Sequence, residues 1–192
     1  MRPETGGGRP RGRLQLLLVA AVFLAPLAAA LWLYYGGHAL QPEGRTNHGA
    51  LFDPVRSLAD DHPGLRQLGE GRWLFIYMDS GPCRQSCLNA LHTLRQSRLM
   101  LGNDMHRVQR VFLHGETTPD KVFLATEHEG LELLRDDALQ RTLTAALHGD
   151  LSPGGYFIVD PLGNLVMYFP PDLRPRDMVD DIEHLLELSR IG

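Results

Sequence analysis

The sequence predicts a three-layer α/β sandwich with a mixed sheet, preceded by one N-terminal transmembrane helix. An apolar run at residues 74–78 is followed by a turn and then by leucines at helical spacing, which indicates a buried strand leading into a helix. From there the predicted order is strand, helix, strand, helix, hairpin, helix. Because a strand–helix–strand unit gives a parallel pair and a hairpin an antiparallel one, the sheet must be mixed.

The predicted anchor is the uncharged segment 14–35. At about 1.5 Å per residue it is long enough to cross a bilayer core of roughly 30 Å. Four arginines and one glutamate precede it, and the positive-inside rule then makes residues 1–13 a basic cytoplasmic N-terminus. We therefore expect a single-pass protein of the inner (cytoplasmic) membrane with its C-terminal domain in the periplasm. The charged residues before the anchor are Arg2, Glu4, Arg9, Arg11 and Arg13.

A cleaved signal peptide is the alternative, since Ala28-Ala29-Ala30 resembles a cleavage site. However, the apolar run continues through residues 31–35 with aromatic side chains where an interfacial belt belongs, which favours an uncleaved anchor.

After the anchor we predict a linker at residues 36–45 and one globular domain at residues 46–192. Without the charged residues that precede residue 14, the net charge of −4 becomes −7. Such an acidic domain is not expected to bind nucleic acid. Its two cysteines would face an oxidising compartment, where a disulfide is available.

In the first half of the domain, turn signals and hydrophobic periodicity define the elements. Residues 46–58 predict one short strand or hairpin, and two turn signals lie at residues 62–64 and 69–71. The predicted elements that follow are a strand at 73–78, a helix at 87–101 that Gly102-Asn103 ends, and a strand at 108–114.

In the second half, Thr117-Thr118-Pro119-Asp120 signals a helix start, because threonine can cap a helix and proline fits its first turn. The last predicted helix is amphipathic. The predicted elements are a helix that runs to His128, a helix at 136–147, a hairpin of strands 156–159 and 165–169 around a turn at 160–164, and a helix at 176–189.

The chemistry of the domain is expected at Cys83 and Cys87, the only cysteines in the chain. They lie where the strand at 73–78 turns into a helix, and the partial positive charge of a helix N-terminus lowers a thiol pKa. Arg84 can add to this effect. The spacing permits a redox-active disulfide or a shared metal ion; the alternatives are a purely structural disulfide and two unrelated buried thiols.

Three stretches carry a family resemblance: Cys83-x-x-x-Cys87 after the first long strand, Val111–Pro119, and Tyr156–Gly163. Together they resemble the Sco/SenC family, membrane-anchored proteins that help to assemble the dinuclear copper centre of cytochrome c oxidase. The resemblance covers residues 46–190. It implies a thioredoxin-like fold and, as partner, a cytochrome c oxidase subunit or a copper-assembly factor.

One departure concerns the copper ligands that this family implies. The family has a histidine in an Asp-His-Ser element, whereas this chain has Asp150-Leu151-Ser152, and leucine cannot bind copper. His148 is the nearest histidine, and His114 is a weaker candidate. If Leu151 is an ordinary packing residue, it is expected to pack near the thiols. We expect Pro153 to be an ordinary turn proline, not the cis-proline of thioredoxins.

These observations favour a thiol-disulfide oxidoreductase that assists oxidase assembly, with Cys83 as the attacking and Cys87 as the resolving thiol. The first alternative is a Cu(I) metallochaperone with Cys83, Cys87 and His148 as metal ligands, since thiolates and imidazole suit this soft ion. The second alternative is a non-catalytic assembly factor. We predict that Cys83 and Cys87 can form an intrachain disulfide, which requires Cα atoms within about 7 Å.

Overall fold

The computed structural model describes residues 9–36, 47–117, 120–149 and 151–189. The chain divides into two compact units, Met1–Arg45 and Thr46–Gly192. The described part of the first unit is one helix, α1 (Arg9–Gly36), which contains Pro26. Within the described residues, no helix combines the length and apolar character needed to cross a membrane.

The described part of the second unit contains a six-stranded mixed sheet in the order β1-β6-β5-β2-β3-β4. β2, β3 and β4 run parallel to one another, whereas β5 pairs antiparallel with β2, and β6 pairs antiparallel with both β5 and β1. The predicted mixed sheet is confirmed. The strands are β1 (Ala50–Ser57), β2 (Trp73–Asp79), β3 (Val108–His114), β4 (Leu131–Leu134), β5 (Tyr156–Val159) and β6 (Asn164–Phe169).

Helices cover both faces of this sheet and bury two apolar clusters. Cluster A contains leucines of α3 together with the apolar face of α6, and Leu124 of α4. Cluster B, on the other face, contains Leu65 of α2 and Leu139 and Leu143 of α5. The predicted three-layer sandwich is therefore confirmed. The helices are α2 (Gly64–Gly69), α3 (Gln85–Met100), α4 (Lys121–Glu127), α5 (Asp137–Ala146) and α6 (Pro175–Leu188).

The β5–β6 hairpin forms as its turn sequence predicts. Asp160 N donates to Asn164 O at 2.9 Å, and the Asp160 carboxylate accepts the N–H groups of Leu162 and Asn164. A carboxylate that bonds the backbone two residues ahead is the usual reason for aspartate at the start of a turn.

Three elements differ from the sequence expectations. Residues 60–71, predicted as two turns, include the short helix α2, and Gly102–Arg107 forms a 3-10 helix after α3. The edge strand β4 was not predicted, because its Leu-Glu-Leu-Leu sequence lacks β-branched residues and its pairing with β3 is a tertiary contact. The predicted start of α4 falls partly outside the described residues, since Thr118 and Pro119 are not described, and the observed N-cap is Asp120.

The start of the domain is held to α6 by a buried carboxylate. Asp181, only 6% exposed, accepts the backbone N–H of His48 at 2.8 Å and that of Gly49 at 2.7 Å. The same carboxylate lies 3.1 Å from Nδ1 of His48. One acidic side chain thus satisfies two backbone donors just before β1 begins.

We predict that Asp181→Ala lowers the free energy of unfolding by about 3 kcal/mol, because charge-assisted hydrogen bonds are lost and two N–H groups lose their acceptor. Urea unfolding measures this loss. The matched control is Asp180→Ala: this neighbouring carboxylate, 43% exposed, pairs with Arg176 on the surface, where such pairs contribute less than about 1 kcal/mol. Equal losses in the two variants would contradict the structural role of Asp181.

Candidate functional site

The candidate site begins at the carboxyl end of β2. This strand lies between β3 and β5, and its first five residues are all buried. Asp79 ends the strand: its carboxylate accepts the Gly81 N–H at 2.9 Å, which turns the chain away from the sheet. The loop that follows carries Cys83.

Cys83 and Cys87 form a disulfide with a Cα–Cα distance of 5.1 Å, which confirms the predicted pairing. Cys83 lies in the loop before α3 and is half-buried, whereas Cys87 is the third residue of the helix and is fully buried against cluster A. Arg84, at the N-cap position of α3, is exposed and makes no side-chain cap hydrogen bond. The more accessible sulfur is therefore that of Cys83.

The helix that carries Cys87 begins beside the disulfide. The first backbone hydrogen bond of the turn joins Leu88 N to Arg84 O at 2.9 Å. The free N–H groups of a helix's first turn and its macrodipole place partial positive charge at this end. In the reduced protein, this charge favours the thiolate form of a cysteine at the same position.

A cleft of about 740 Å³ lies next to the disulfide. Ser86, between the two cysteines, lines it together with Asp79 and Thr93. Thr144 of α5 and Pro153 of the loop before β5 also line it. The lining of the cleft is of mixed polar and apolar character, and Ser86 and Asn89 place it beside the start of α3.

Tyrosines stiffen the wall of this cleft. Tyr77 and Tyr156 have ring centroids 5.7 Å apart, and the Tyr156 hydroxyl donates to Ala90 O at 3.2 Å. Burial, with the Asp79 carboxylate second, raises the pKa of Tyr77 above its ordinary value. Burial also raises the pKa of Tyr156, so both phenols stay protonated across the physiological range.

Tyr168 holds the loop that contains Pro153 through two hydrogen bonds. Its hydroxyl donates to Ser152 O at 2.5 Å and accepts the Gly155 N–H at 2.9 Å. Within the described residues, the one cis peptide bond joins Asp53 and Pro54, so Pro153 is a turn proline with a trans bond, as predicted.

The two histidines considered as copper ligands belong to different elements. His148 is an exposed loop residue after α5, and His114, at the end of β3, has Nδ1 2.9 Å from Gly115 O. Among the described residues, no group of three His, Cys, Asp or Glu side chains could hold a metal ion. Asp150 lies outside the described residues.

Leu151 corrects one expectation. It packs against cluster B, whereas both cysteines belong to or pack against cluster A on the other face of the sheet. The prediction that Leu151 packs near the thiols is therefore wrong, because the short loop before β5 directs this side chain to the α5 face. A third copper ligand is absent from position 151 in any case, since leucine has no lone pair to donate.

The family models match both parts of the chain. The model described as transmembrane-like, thioredoxin-like, C-terminal domain matches residues 73–189, and a transmembrane-like, N-terminal domain matches residues 7–37. The chain belongs to the transmembrane-like, thioredoxin-like family. The predicted thioredoxin-like fold is confirmed, and the family names are those of a membrane-anchored protein. No curated protein matches the sequence.

Solved structures similar to the chain include copper-bound ScoI of Arabidopsis thaliana, at 14% identity and a TM-score of 0.50, covering 65% of this chain and 89% of that one. Yeast Sco1 is 18% identical with a TM-score of 0.50, covering 62% of this chain and 82% of that one. A thiol:disulfide interchange protein from Bacteroides sp. is 16% identical with a TM-score of 0.44, covering 66% and 80%. The resemblance to Sco proteins is thus confirmed at the level of the fold.

A glycine that supports the cysteine loop, Gly115, was not among the predicted site residues. Gly115 N donates to Asp79 O at 3.1 Å, and a Cβ on Gly115 would overlap the backbone of Ser80. The available signal was a glycine placed directly after a buried strand, which often marks a close backbone approach.

We predict that Gly115→Ala lowers the free energy of unfolding by about 2 kcal/mol, because the Ser80 backbone must move to admit the new methyl group. Thermal or urea unfolding measures the change. Gly64→Ala is the matched control: no atom lies within 4 Å of its added Cβ, and we expect no loss of stability. A Gly115→Ala variant as stable as the control would show that the loop adjusts without cost.

Proposed function

We propose that this protein is a membrane-anchored thiol–disulfide exchange protein whose client is a copper-site protein of the cytochrome c oxidase assembly route. The observation that carries the proposal is the Cys83–Cys87 disulfide at the start of α3, with Cys83 half-buried and Cys87 buried, near a cleft lined by Ser86. The oxidase client, an oxidase subunit or a copper-assembly factor with its own cysteine pair, rests on the sequence resemblance to the Sco/SenC family.

The exchange begins with the reduced protein. The Cys83 thiolate attacks one sulfur of a client disulfide, and the other client sulfur leaves as a thiolate that takes up a proton. Cys87 then loses its proton and attacks the Cys83 sulfur of the mixed disulfide. The client leaves as a dithiol and the Cys83–Cys87 disulfide forms, so two electrons pass to the client. An external dithiol reductant returns the protein to its starting state.

The roles of the two cysteines follow from their exposure. Cys83 is half-buried and can be reached from solvent, whereas Cys87 has no exposed surface. A buried thiol is protected from external disulfides and is well placed to resolve an intramolecular mixed disulfide.

We predict that Cys87→Ser traps a mixed disulfide between Cys83 and a client, because the resolving thiol is missing. Reduced protein is incubated with a disulfide-bonded peptide and analysed by non-reducing mass spectrometry. Cys83→Ser serves as the control and should form less than a tenth of this adduct. An adduct that forms equally well through Cys87 in the control would reverse the assigned roles.

Copper transfer is the alternative function that the same resemblance raises. In the reduced protein Cys83 and Cys87 offer two soft thiolate ligands for Cu(I) as cargo. The described residues do not supply the third ligand of a Sco-type site, since position 151 holds an inward-packed leucine and His148 lies on an exposed loop. The residues therefore fit thiol exchange better than copper retention.

The proposed location is the inner membrane, with residues 14–35 as an uncleaved anchor and the thioredoxin-like domain, residues 46–192, in the periplasm. Support comes from the uncharged segment, the four arginines before it, and the transmembrane-like description of the family model that matches residues 7–37.

We predict that a reporter fused after residue 40 is active only on the periplasmic side and that the mature protein keeps its original N-terminus. Alkaline phosphatase activity reports the side of the membrane, and intact-mass measurement reports the N-terminus. Fusion after residue 8, before the anchor, is the control and should remain inactive. A mature chain that begins near Leu31 would establish signal-peptide cleavage instead.

A further inference from the structure

A second groove, of about 380 Å³, lies between α3 and α4. Its walls are formed by Leu88, His92 and Arg95 from α3 and by Phe123 and His128 from α4 and its C-cap. It shares only Asn89 with the cleft beside the disulfide among the described lining residues.

Positive charge is concentrated beneath this groove. Arg110, in the middle of β3, is 3% exposed; its Nη2 donates to Glu129 O at 2.5 Å, while Nε and Nη1 are buried without a hydrogen-bond partner. Burial lowers the pKa of Arg110, and the nearby Arg98 and Arg95 lower it further, to about 10. A buried guanidinium with open donors is costly unless an anion joins it.

In the part of the chain that the structure describes, these arginines have no acidic ion-pair partner. Among the described residues, the ion pairs involve other cations, and none includes Arg95, Arg98 or Arg110. This is unusual in a chain whose net charge is −4, where acidic side chains outnumber basic ones. The three arginines are therefore available to bind a negatively charged group.

His128 links the groove to the buried charge. It is 5% exposed, lines the groove, and its Nδ1 is buried with no hydrogen-bond partner. Burial lowers its pKa, and Arg110, Arg95 and His92 lower it further, while Glu127 acts in the opposite direction. Burial and, second to it, the cationic neighbours thus favour the neutral ring, and a bound anion would oppose the effect of these neighbours.

We propose that the groove between α3 and α4 is an oxyanion-binding site, in which Arg95 and His128 hold a carboxylate or phosphate group and Arg110 contributes its charge from the core. A guanidinium matches the geometry of both oxyanions. Leu88 and Phe123 add apolar surface beside the charged groups, which strengthens the attraction. Glu127, the one acidic side chain in the described lining, opposes the bound anion.

The oxyanion has two possible sources, a free small anion or an acidic side chain of a polypeptide. Gln85 and Arg95 are separated by ten residues of α3, about 15 Å along the helix, which four or five residues of extended chain can span. An acidic residue at that spacing from a client's reactive cysteine would reach the groove; this second source rests on the proposed function.

The test is an NMR titration with anions of the full-length protein, labelled with ¹³C-histidine and with its disulfide intact. The ring resonances of His128 report binding. Sodium phosphate is compared with sodium chloride at equal ionic strength. We expect saturable shifts with phosphate alone and a rise in the His128 pKa. Arg95→Gln should weaken binding at least tenfold and Glu127→Gln should strengthen it, whereas Arg141→Gln, which removes an exposed charge on α5, should change it less than twofold.

A second titration compares triglutamate with triglutamine peptides. Binding of triglutamate supports a polypeptide source, binding of phosphate alone supports a small anion, and both outcomes support the site. The proposal is overturned if neither probe gives a saturable shift, or if Arg141→Gln weakens binding as much as Arg95→Gln.

Cys83→Ser should leave phosphate binding unchanged, so a failure of thiol exchange and a failure of this site are distinguishable. If Arg95→Gln does not fold, the wild-type shift in the His128 pKa still decides the question.

Discussion

The position of β2 in the sheet is the constraint on which the domain depends. This strand bonds to β3 in parallel and to β5 antiparallel, and its side chains are buried on both faces. Any displacement would break hydrogen bonds on two sides and open both apolar clusters. The carboxyl end of β2 is therefore fixed, and so are the Asp79 turn and the loop that carries Cys83. The cysteine pair thus follows a strand that is held on both sides, and Gly115 allows the Ser80 backbone to lie close to the end of β3.

Two buried charged side chains, Asp181 and Arg110, differ in whether the fold provides them with hydrogen-bond partners. Asp181 is satisfied by two backbone N–H groups of the domain's first residues, so its burial stabilises the fold. Arg110 is equally buried but keeps two open donors and lies near other cations. A buried polar group without a hydrogen-bond partner destabilises the fold. A ligand that accepts hydrogen bonds from the group would remove this cost. This contrast separates a structural carboxylate from a binding guanidinium.

The two faces of the sheet also separate the two chemistries that the resemblance raises. Thiol exchange needs an accessible sulfur, a buried resolving sulfur and a positive helix end, and α3 brings these together on the face of cluster A. Copper retention needs a third soft donor beside them. Leu151 stands where the Sco-type sequence has its histidine ligand, and its side chain packs on the face of cluster B.

The sequence alone determined the features that depend on neighbouring residues. Hydrophobic periodicity located β2, β3, the hairpin, α5 and α6, and the turn chemistry of Asp160 placed the hairpin turn. The spacing of Cys83 and Cys87 at a strand–helix junction was enough to expect their disulfide.

Only the tertiary structure decided the features that depend on residues far apart in the chain. β4 exists because β3 offers it hydrogen bonds, and the side of the sheet on which Leu151 packs follows from the path of a short loop. In the sequence, Arg110 is one charged residue in an apolar strand; its burial, and the absence of an ion-pair partner for it among the described residues, follow only from the folded arrangement. Local sequence encodes turn geometry and periodicity, whereas the burial and pairing of a charge depend on which segments the fold brings together.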